Sequence, residues 1–291
     1  MSAPGRPQWI GELLRRPAGA FGSAVVAIVA AAALVSLFWT PYPLLQQSVA
    51  ERWQGPGARH WLGTDQIGRD TLSWLLAGGR TTVFVAFWAT LIAAAVGLAL
   101  ATLTALSPRR VAEPVIVLVD ILIAFPVLLI AMLLAAGFGG SLWVVVTAVG
   151  VGIGMNVARV VRPEIRRVTG SDYVLAARAG GVGPAGILAR HVIPNVAAVA
   201  IVQLSYVAAV AILAEAGLSY LGYGAPAGTP SWGRSLADSQ QYIAVQPASV
   251  VWPGLAIAVT VLAITLLGDA LREALDPRLR RERRSSEPRR R

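Results

Sequence analysis

All 25 lysine-or-arginine positions in this chain are arginines, and cysteine is absent too, so few groups remain that can make or break covalent bonds. There is no thiol nucleophile, no Schiff-base lysine and no Walker lysine to cradle a nucleotide's phosphates; the chain is not expected to hydrolyse ATP itself. His60 and His191 stand far apart in the sequence, and in the arrangement derived below they fall on opposite sides of a membrane. No metal ligand set is expected from them. What is left is ionisable residues inside or at the ends of apolar runs: Asp120, Arg159, Glu215 and Asp269. A charge in a bilayer is costly and marks function by default. Asp120 and Arg159 each lie within about two turns of one end of their runs, either paired with each other or reaching out to the interface. Glu215 closes its run and either faces a path or braces the loop that follows, bracing being the favoured expectation. Asp269 is expected at the interface. This is the chemistry of positioning and recognition.

The elements that must hold these residues follow from composition. The chain has 291 residues, 56% hydrophobic and 14% charged, with a mean hydropathy of +0.63, which excludes an ordinary soluble domain. An all-α, multi-pass integral membrane protein is expected. The first run, 18–40, is too long for the apolar core of a cleavable signal, and it ends in Trp39-Thr40-Pro41. It reads as an uncleaved span after a polar 1–17 tail. An extramembrane loop at 41–80 follows, then spans at Thr81–Leu106, Pro114–Phe138 with a kink at Pro126, Leu142–Val161, Val196–Leu213 and Val250–Gly268. Gly150, Gly152 and Gly154 sit inside an apolar helix with no preceding strand, so they predict close helix packing rather than a dinucleotide fingerprint. With six spans and both termini in the cytoplasm, the inner segments hold 19 arginines and the outer ones five. That is the bias expected of basic residues kept inside. The net charge of +10 is explained by this orientation, and without interleaved aromatics it does not predict nucleic-acid binding.

Between the fourth and fifth spans lies a basic, non-membrane segment, RVVRPEIRRVTGSDYVLAARAGGVGPAGILARHVIPN, from Arg159 to Asn195. Ser171 or Asp172 is placed to cap a short helix that Gly180 and Gly181 stop, and Pro184 starts a second short helix ending near Pro194 and Asn195. The small residues Ala176, Ala177, Ala179, Gly180 and Gly181 leave a shallow surface that another protein can approach closely.

This segment resembles the cytoplasmic EAA loop of binding-protein-dependent ABC importer permeases, in the variant of the peptide and nickel importers: Ala176, Ala177, Gly181 and Pro194 fill the pattern, with Leu175 where the family has an acid. Two further stretches carry the same resemblance. One is Leu62-Gly63-Thr64-Asp65 with Gly68-Arg69-Asp70, whose carboxylates predict a turn and a helix cap; the other is Glu215 to Gly233, ending in Pro230-Ser231-Trp232-Gly233. The resemblance implies a type I ABC importer permease fold. The five spans of 81–268 would form the permease core, with an inner coupling loop at 162–195, an external loop at 216–249, and an arginine-rich tail at 269–291.

The implied function is a non-catalytic permease subunit in the bacterial plasma membrane, forming half of a path for oligopeptides or dipeptides. Nickel or another small solute is the alternative cargo. The implied coupling residues are Asp172, Tyr173, Ala176, Ala177, Arg178, Gly181, Ile187, His191, Pro194 and Asn195. Implied partners are a second related permease, two ATPase subunits or one fused one, an extracytoplasmic binding protein and membrane lipid. No cofactor is expected in this chain, ATP and Mg being held by the ATPases. A different class, an ion-coupled secondary transporter, would want inverted repeats and midplane charges. The sequence has no convincing repeat, and its charges sit near span ends.

Overall fold

The computed structural model describes residues 8–275; the 1–7 stretch and the arginine-rich 276–291 stretch lie outside the described residues. The architecture is helical, and among the described residues strand pairing is confined to one bridge between Thr64 and Asp70. A short helix α1 (Gln8–Arg15) leads into α2 (Pro17–Ser36), so the expected polar tail is partly helical and the first span ends before Trp39. After a loop come α3 (Thr71–Leu106), α4 (Arg109–Ile123), α5 (Val127–Phe138) and α6 (Leu142–Thr169). The chain continues with α7 (Asp172–Ala179), α8 (Pro184–Ile187), α9 (Ile193–Tyr220), α10 (Trp232–Ser239) and α11 (Ala248–Leu275). Among the described residues five helices are long and apolar enough to cross a membrane, and α4 with α5 makes a sixth span if the bent pair is counted as one.

The core is the parallel pair α3 and α6. Along α3 the buried residues Ala77, Thr81, Val85, Ala89, Ala93, Gly97 and Ala101 recur at every fourth position, a seam of small and β-branched side chains. Small residues matter here because lipid offers no hydrophobic drive between helices, so close backbone approach must supply the attraction. A Cβ on Gly150 would lie 2.8 Å from Cβ of Ile92, one on Gly154 3.1 Å from Cα of Ala93, and one on Gly97 2.7 Å from Cβ of Val157. The glycines of α6 therefore do pack helices together. α9, α11 and α2 wrap this pair, with Gly22 of α2 set against the Ala263 carbonyl of α11 and Gly268 against Ser205 of α9.

Several boundaries differ from the expectation, each for a local reason. α3 starts ten residues early, at Thr71, because Asp70 caps it: its Oδ2 accepts from the Ser73 N–H at 2.8 Å and the Ser73 hydroxyl at 2.7 Å. The capping carboxylate is itself held by buried His60, whose Nδ1 is 2.8 Å from its Oδ1. α4 begins at Arg109, with Pro114 inside it. At Ala124–Pro126 the chain breaks rather than kinks, and α5 leaves at 81° to α4. Proline cannot donate to the ladder, and the residue before it is pushed out of the helical region. α6 runs past Val161 and through Pro163 to Thr169, α9 runs on to Tyr220, and α11 spans more than the expected 250–268.

At the end where α3 begins, the two loops 37–70 and 221–247 are bolted to the bundle. Asp65 accepts from the N–H groups of Ile67 and Arg69, each at 2.9 Å, which closes the turn through Gly68 (φ +77°). Trp232 donates Nε1–H to the Leu75 carbonyl at 2.8 Å, and its ring fills the space above Gly78. The Thr81 hydroxyl donates to the Pro230 carbonyl at 2.7 Å. The opposite end holds α1, tied by an Arg16–Glu273 ion pair to the end of α11, and the turn from α6 into α9.

Candidate functional site

That turn is an elbow with two unlike faces. α6 stops at Gly170, and the Ser171 hydroxyl donates back to the Val168 carbonyl at 2.6 Å instead of capping α7, which has no side-chain cap. α7 ends as the glycines predict: the Gly181 N–H reaches the Arg178 carbonyl at 3.0 Å and the Val182 N–H the Ala177 carbonyl at 3.1 Å, with Gly181 at φ +84°. This reciprocal pair is a Schellman cap, which needs a left-handed residue at the position Gly181 occupies. Pro184 starts α8, but the second helix does not end near Pro194. It widens into a π turn over Leu188–Val192 and runs on into α9. Pro194 has no N–H, and its ring would clash with a carbonyl one turn back; widening the turn, so that the Ile193 N–H bonds the Leu188 carbonyl, relieves the clash.

One face of the elbow is anchored. Val174, Ile187 and Val192 are buried in the same apolar cluster as Ile165 and Val168 of α6 and Val196 of α9. Ile187, expected among the coupling residues, therefore points into the bundle, and its part is to hold the elbow in place. The other face is open: Asp172, Tyr173, Ala176, Arg178, Gly181, Pro194 and Asn195 are exposed, Ala177 and His191 half-buried. Tyr173 and Leu175 are 49% and 51% exposed, a large uncovered area on a helix of eight residues. Tyr173 and His191 face each other across the elbow with ring centroids 6.0 Å apart, and the Asn195 amide donates to the His191 carbonyl at 2.6 Å. Nothing lies within 4 Å of where a Gly181 Cβ would be.

The span charges lie elsewhere. Asp120 and Arg159 do approach, Nη1 to Oδ1 at 3.8 Å, as a half-exposed pair between α4 and α6. Glu215 is buried at the other end, where one carboxylate oxygen accepts from the hydroxyls of Ser219 at 2.7 Å and Ser231 at 2.8 Å. It joins the end of α9 to the loop before α10, a bracing geometry. Sequence reasoning missed Trp232 as a bolt, although its Pro-Ser-Trp-Gly setting was noticed, and it missed Arg162. The anchors Val174 and Val192 were hidden because a short elbow has no long apolar period to mark its inner face. No group of three His, Asp or Glu suited to a metal ion occurs among the described residues. The arrangement offers a mechanical contact.

A family model described as the binding-protein-dependent transport system inner membrane component matches residues 65–281. The chain belongs to that family. A putative peptide transport system permease protein of Brucella suis is 36% identical over 271 residues, covering 93% of this chain and 91% of that one. The nickel transport system permease protein NikC of Escherichia coli K12 is 33% identical, covering 88% and 92%. The dipeptide transport system permease protein DppC of Alkalihalophilus pseudofirmus is 36% identical, covering 79% and 76%. Among solved structures, the inward-facing MetNI methionine ABC transporter matches with a TM-score of 0.58 at 17% identity, over 70% of this chain and 97% of that chain, which shows the fold.

The protein is thus a multi-pass permease subunit of an ABC importer in the inner membrane. Permeases of this family are transport components that work with ATPase and binding-protein partners. The matched region takes in the whole elbow and both bolts, Asp65–Asp70 and Trp232.

Proposed function

We propose that this permease forms half of a translocation path for peptides and is driven through its elbow by ATPase subunits in the cytoplasm. The observation that carries the reading is the two-faced elbow: Val174, Ile187 and Val192 fix it to the bundle while Tyr173, Leu175, Ala176 and Arg178 stay open. A groove closing on the open face can pull on the bundle, because Val174 seats α7 in the apolar cluster and α8 runs on through the π turn into α9. In this reading both termini, 107–113 and 162–195 are cytoplasmic, and 41–80 and 216–249 are external, as the distribution of arginines supports. A second, related permease supplies the other half of the path. Two ATPase subunits, or one fused pair, hold ATP and Mg and perform the hydrolysis, and an external binding protein delivers cargo at the looped end. ATP-driven closure then shifts the population from inward-open to outward-open by rigid-body motion. Peptide cargo is supported by relatives named for peptides and dipeptides, and the similarity to NikC favours nickel as the second reading.

The cysteine-free sequence gives a clean test. Cysteine at Leu175 should cross-link to the ATPase of the same complex and be shielded from an impermeant thiol reagent outside intact cells, whereas cysteine at Arg59 should label. Vesicles holding the complex and its binding protein should accumulate labelled dipeptide only with ATP inside the ATPase compartment. Labelling of the Leu175 cysteine from outside, or uptake driven by an ion gradient without hydrolysis, overturns the reading. ATP-dependent uptake of nickel with no dipeptide uptake selects the second cargo.

A further inference from the structure

Between α3, α4 and α6, toward the elbow end, the helices leave a cavity of about 160 Å³. One wall is apolar, built by Leu100, Ile116 and Val119; the other carries Asp120, Arg159 and Arg162. A single water centre needs on the order of 10–15 Å³, so there is room for a group much larger than one water. The two arginines stand three residues apart on α6 and so line one face of that helix.

Their hydrogen-bonding demands are not met from within the chain. Arg159 stands 3.8 Å from Asp120, an ion pair longer than a hydrogen bond. The Arg162 Nε is buried and has no hydrogen-bond partner. A buried guanidinium N–H left alone is costly, and guanidinium can only donate. Other charges near the cavity do not supply the acceptor. Arg166 donates to the Thr104 carbonyl at 3.0 Å, closing the end of α3, and Glu164 is engaged by Arg167 with Nε–H to Oε2 at 2.9 Å. Glu113, Arg109 and Arg110 are exposed on the first turns of α4. Two arginines against one carboxylate leave the cavity positive.

Its depth is informative too. α6 has 28 residues, about 42 Å at the helical rise, against a hydrocarbon core of about 30 Å. Roughly 10 Å of helix separates Arg162 from the end of α6, which sets the cavity near the boundary between acyl chains and headgroups. The forked donors of arginine match a phosphate's oxygens, and basic pockets between spans on the cytoplasmic side suit anionic headgroups.

We propose that this cavity is a binding site for the phosphate of an anionic phospholipid, with Arg162 and Arg159 as its donors and the Leu100–Ile116–Val119 wall against the glycerol and upper acyl chain. The proposal rests on the membrane setting of α3, α4 and α6 and is independent of the cargo.

The test uses the full chain purified in mild detergent, exposed to phosphatidylglycerol, phosphatidylcholine or inorganic phosphate, with bound lipid counted by native mass spectrometry and melting followed in parallel. Wild type should retain phosphatidylglycerol over phosphatidylcholine and melt at a higher temperature with it. Arg162→Gln should cut that retention about tenfold, the loss of one charge-assisted hydrogen bond. Ile116→Trp, which fills the cavity and leaves both arginines in place, should do the same, so a folding defect in one variant does not decide the result. Arg110→Gln, exposed on α4, should leave retention unchanged. Equal retention by wild type, Arg162→Gln and Ile116→Trp overturns the site. Stabilisation by inorganic phosphate alone, equal to that by phosphatidylglycerol and lost in Arg162→Gln, overturns the lipid as its source.

Discussion

Val174→Ala is the change that should loosen the elbow and little else. Val174 is the one fully buried side chain among the eight residues of α7, enclosed by the same cluster as Val168 and Ile187. Removing its two methyl groups forfeits about 0.8 kcal/mol for each carbon withdrawn from burial. A further penalty comes from the space left behind, giving about 2–3 kcal/mol in total. The rest of α7 is exposed or half-buried, so that loss falls on the docking of the elbow, lowering the docked-to-undocked ratio by about 30- to 150-fold. Hydrogen exchange on the assembled transporter reads this directly. The amides of Gly181 and Val182, which close the end of α7 on the Arg178 and Ala177 carbonyls, should lose protection by about that factor. Amides along the α3–α6 seam should keep theirs. ATP hydrolysis should continue while uptake per ATP falls, because the groove now moves a segment that slips against its own bundle. Unchanged exchange at Gly181 and Val182, or equal loss of protection along α3 and α6, would refute the claim that Val174 anchors the elbow separately.

Four further outcomes are expected. Ala177→Asp, on a half-buried site of the elbow, should leave insertion and melting nearly unchanged but abolish uptake by burying a charge in the ATPase groove; Gly181→Ala, at φ +84°, should lose about 1 kcal/mol of local stability, measured by exchange in α7, while Gly181→Asn loses less. Gly97→Ala should lower the melting temperature at a cost of about 1–3 kcal/mol, because its Cβ would lie 2.7 Å from Cβ of Val157 and 2.8 Å from the Gly154 carbonyl. Glu215→Gln keeps an oxygen for the Ser219 and Ser231 hydroxyls and should retain stability and transport, whereas Glu215→Ala orphans both at about 1–3 kcal/mol each and should melt earlier. Loss of uptake in a stable Glu215→Gln protein would show that the charge itself serves the path.

What was legible in the sequence was whatever one local rule determines. Asp65 and Asp70 cap backbone as their spacing predicts, and Gly181 takes the left-handed position that ends α7. Gly150 and Gly154 lie in helix–helix contact, where short side chains inside an apolar run belong. What was not legible depends on where chain segments meet. α3 begins at Thr71, where Asp70 caps it, and its first turns are covered by Trp232, far along the chain, which occupies the space over Gly78 and donates to the Leu75 carbonyl. Hydropathy alone could not place a helix start in a stretch rich in glycine and tryptophan. The chain breaks by 81° at Pro126, where α4 ends in a tightened turn with the Phe125 N–H on the Leu122 carbonyl, whereas Pro194 and Pro163 stay within continuous helix. A proline's effect is set by whether its neighbours can widen or re-satisfy the turn, and the one-dimensional pattern does not contain that.

The two connections of the elbow are unlike, and this decides which helix carries its motion. On the α6 side the helix ends at Gly170, and Ser171 returns its hydroxyl to the Val168 carbonyl, so the joint is a capped turn. On the α9 side no turn intervenes: α8, the π turn and α9 form one helical path from Pro184 to Tyr220. A displacement of α7 and α8 is therefore delivered along α9, whose far end is fastened through Glu215 to Ser231 and, by Trp232, to the start of α3. α3 in turn packs closely on α6 along the small-residue seam. The break among the spans is at Pro126, where α5 leaves α4 at 81°. A force applied at the elbow would therefore pass through α8 and the π turn into α9.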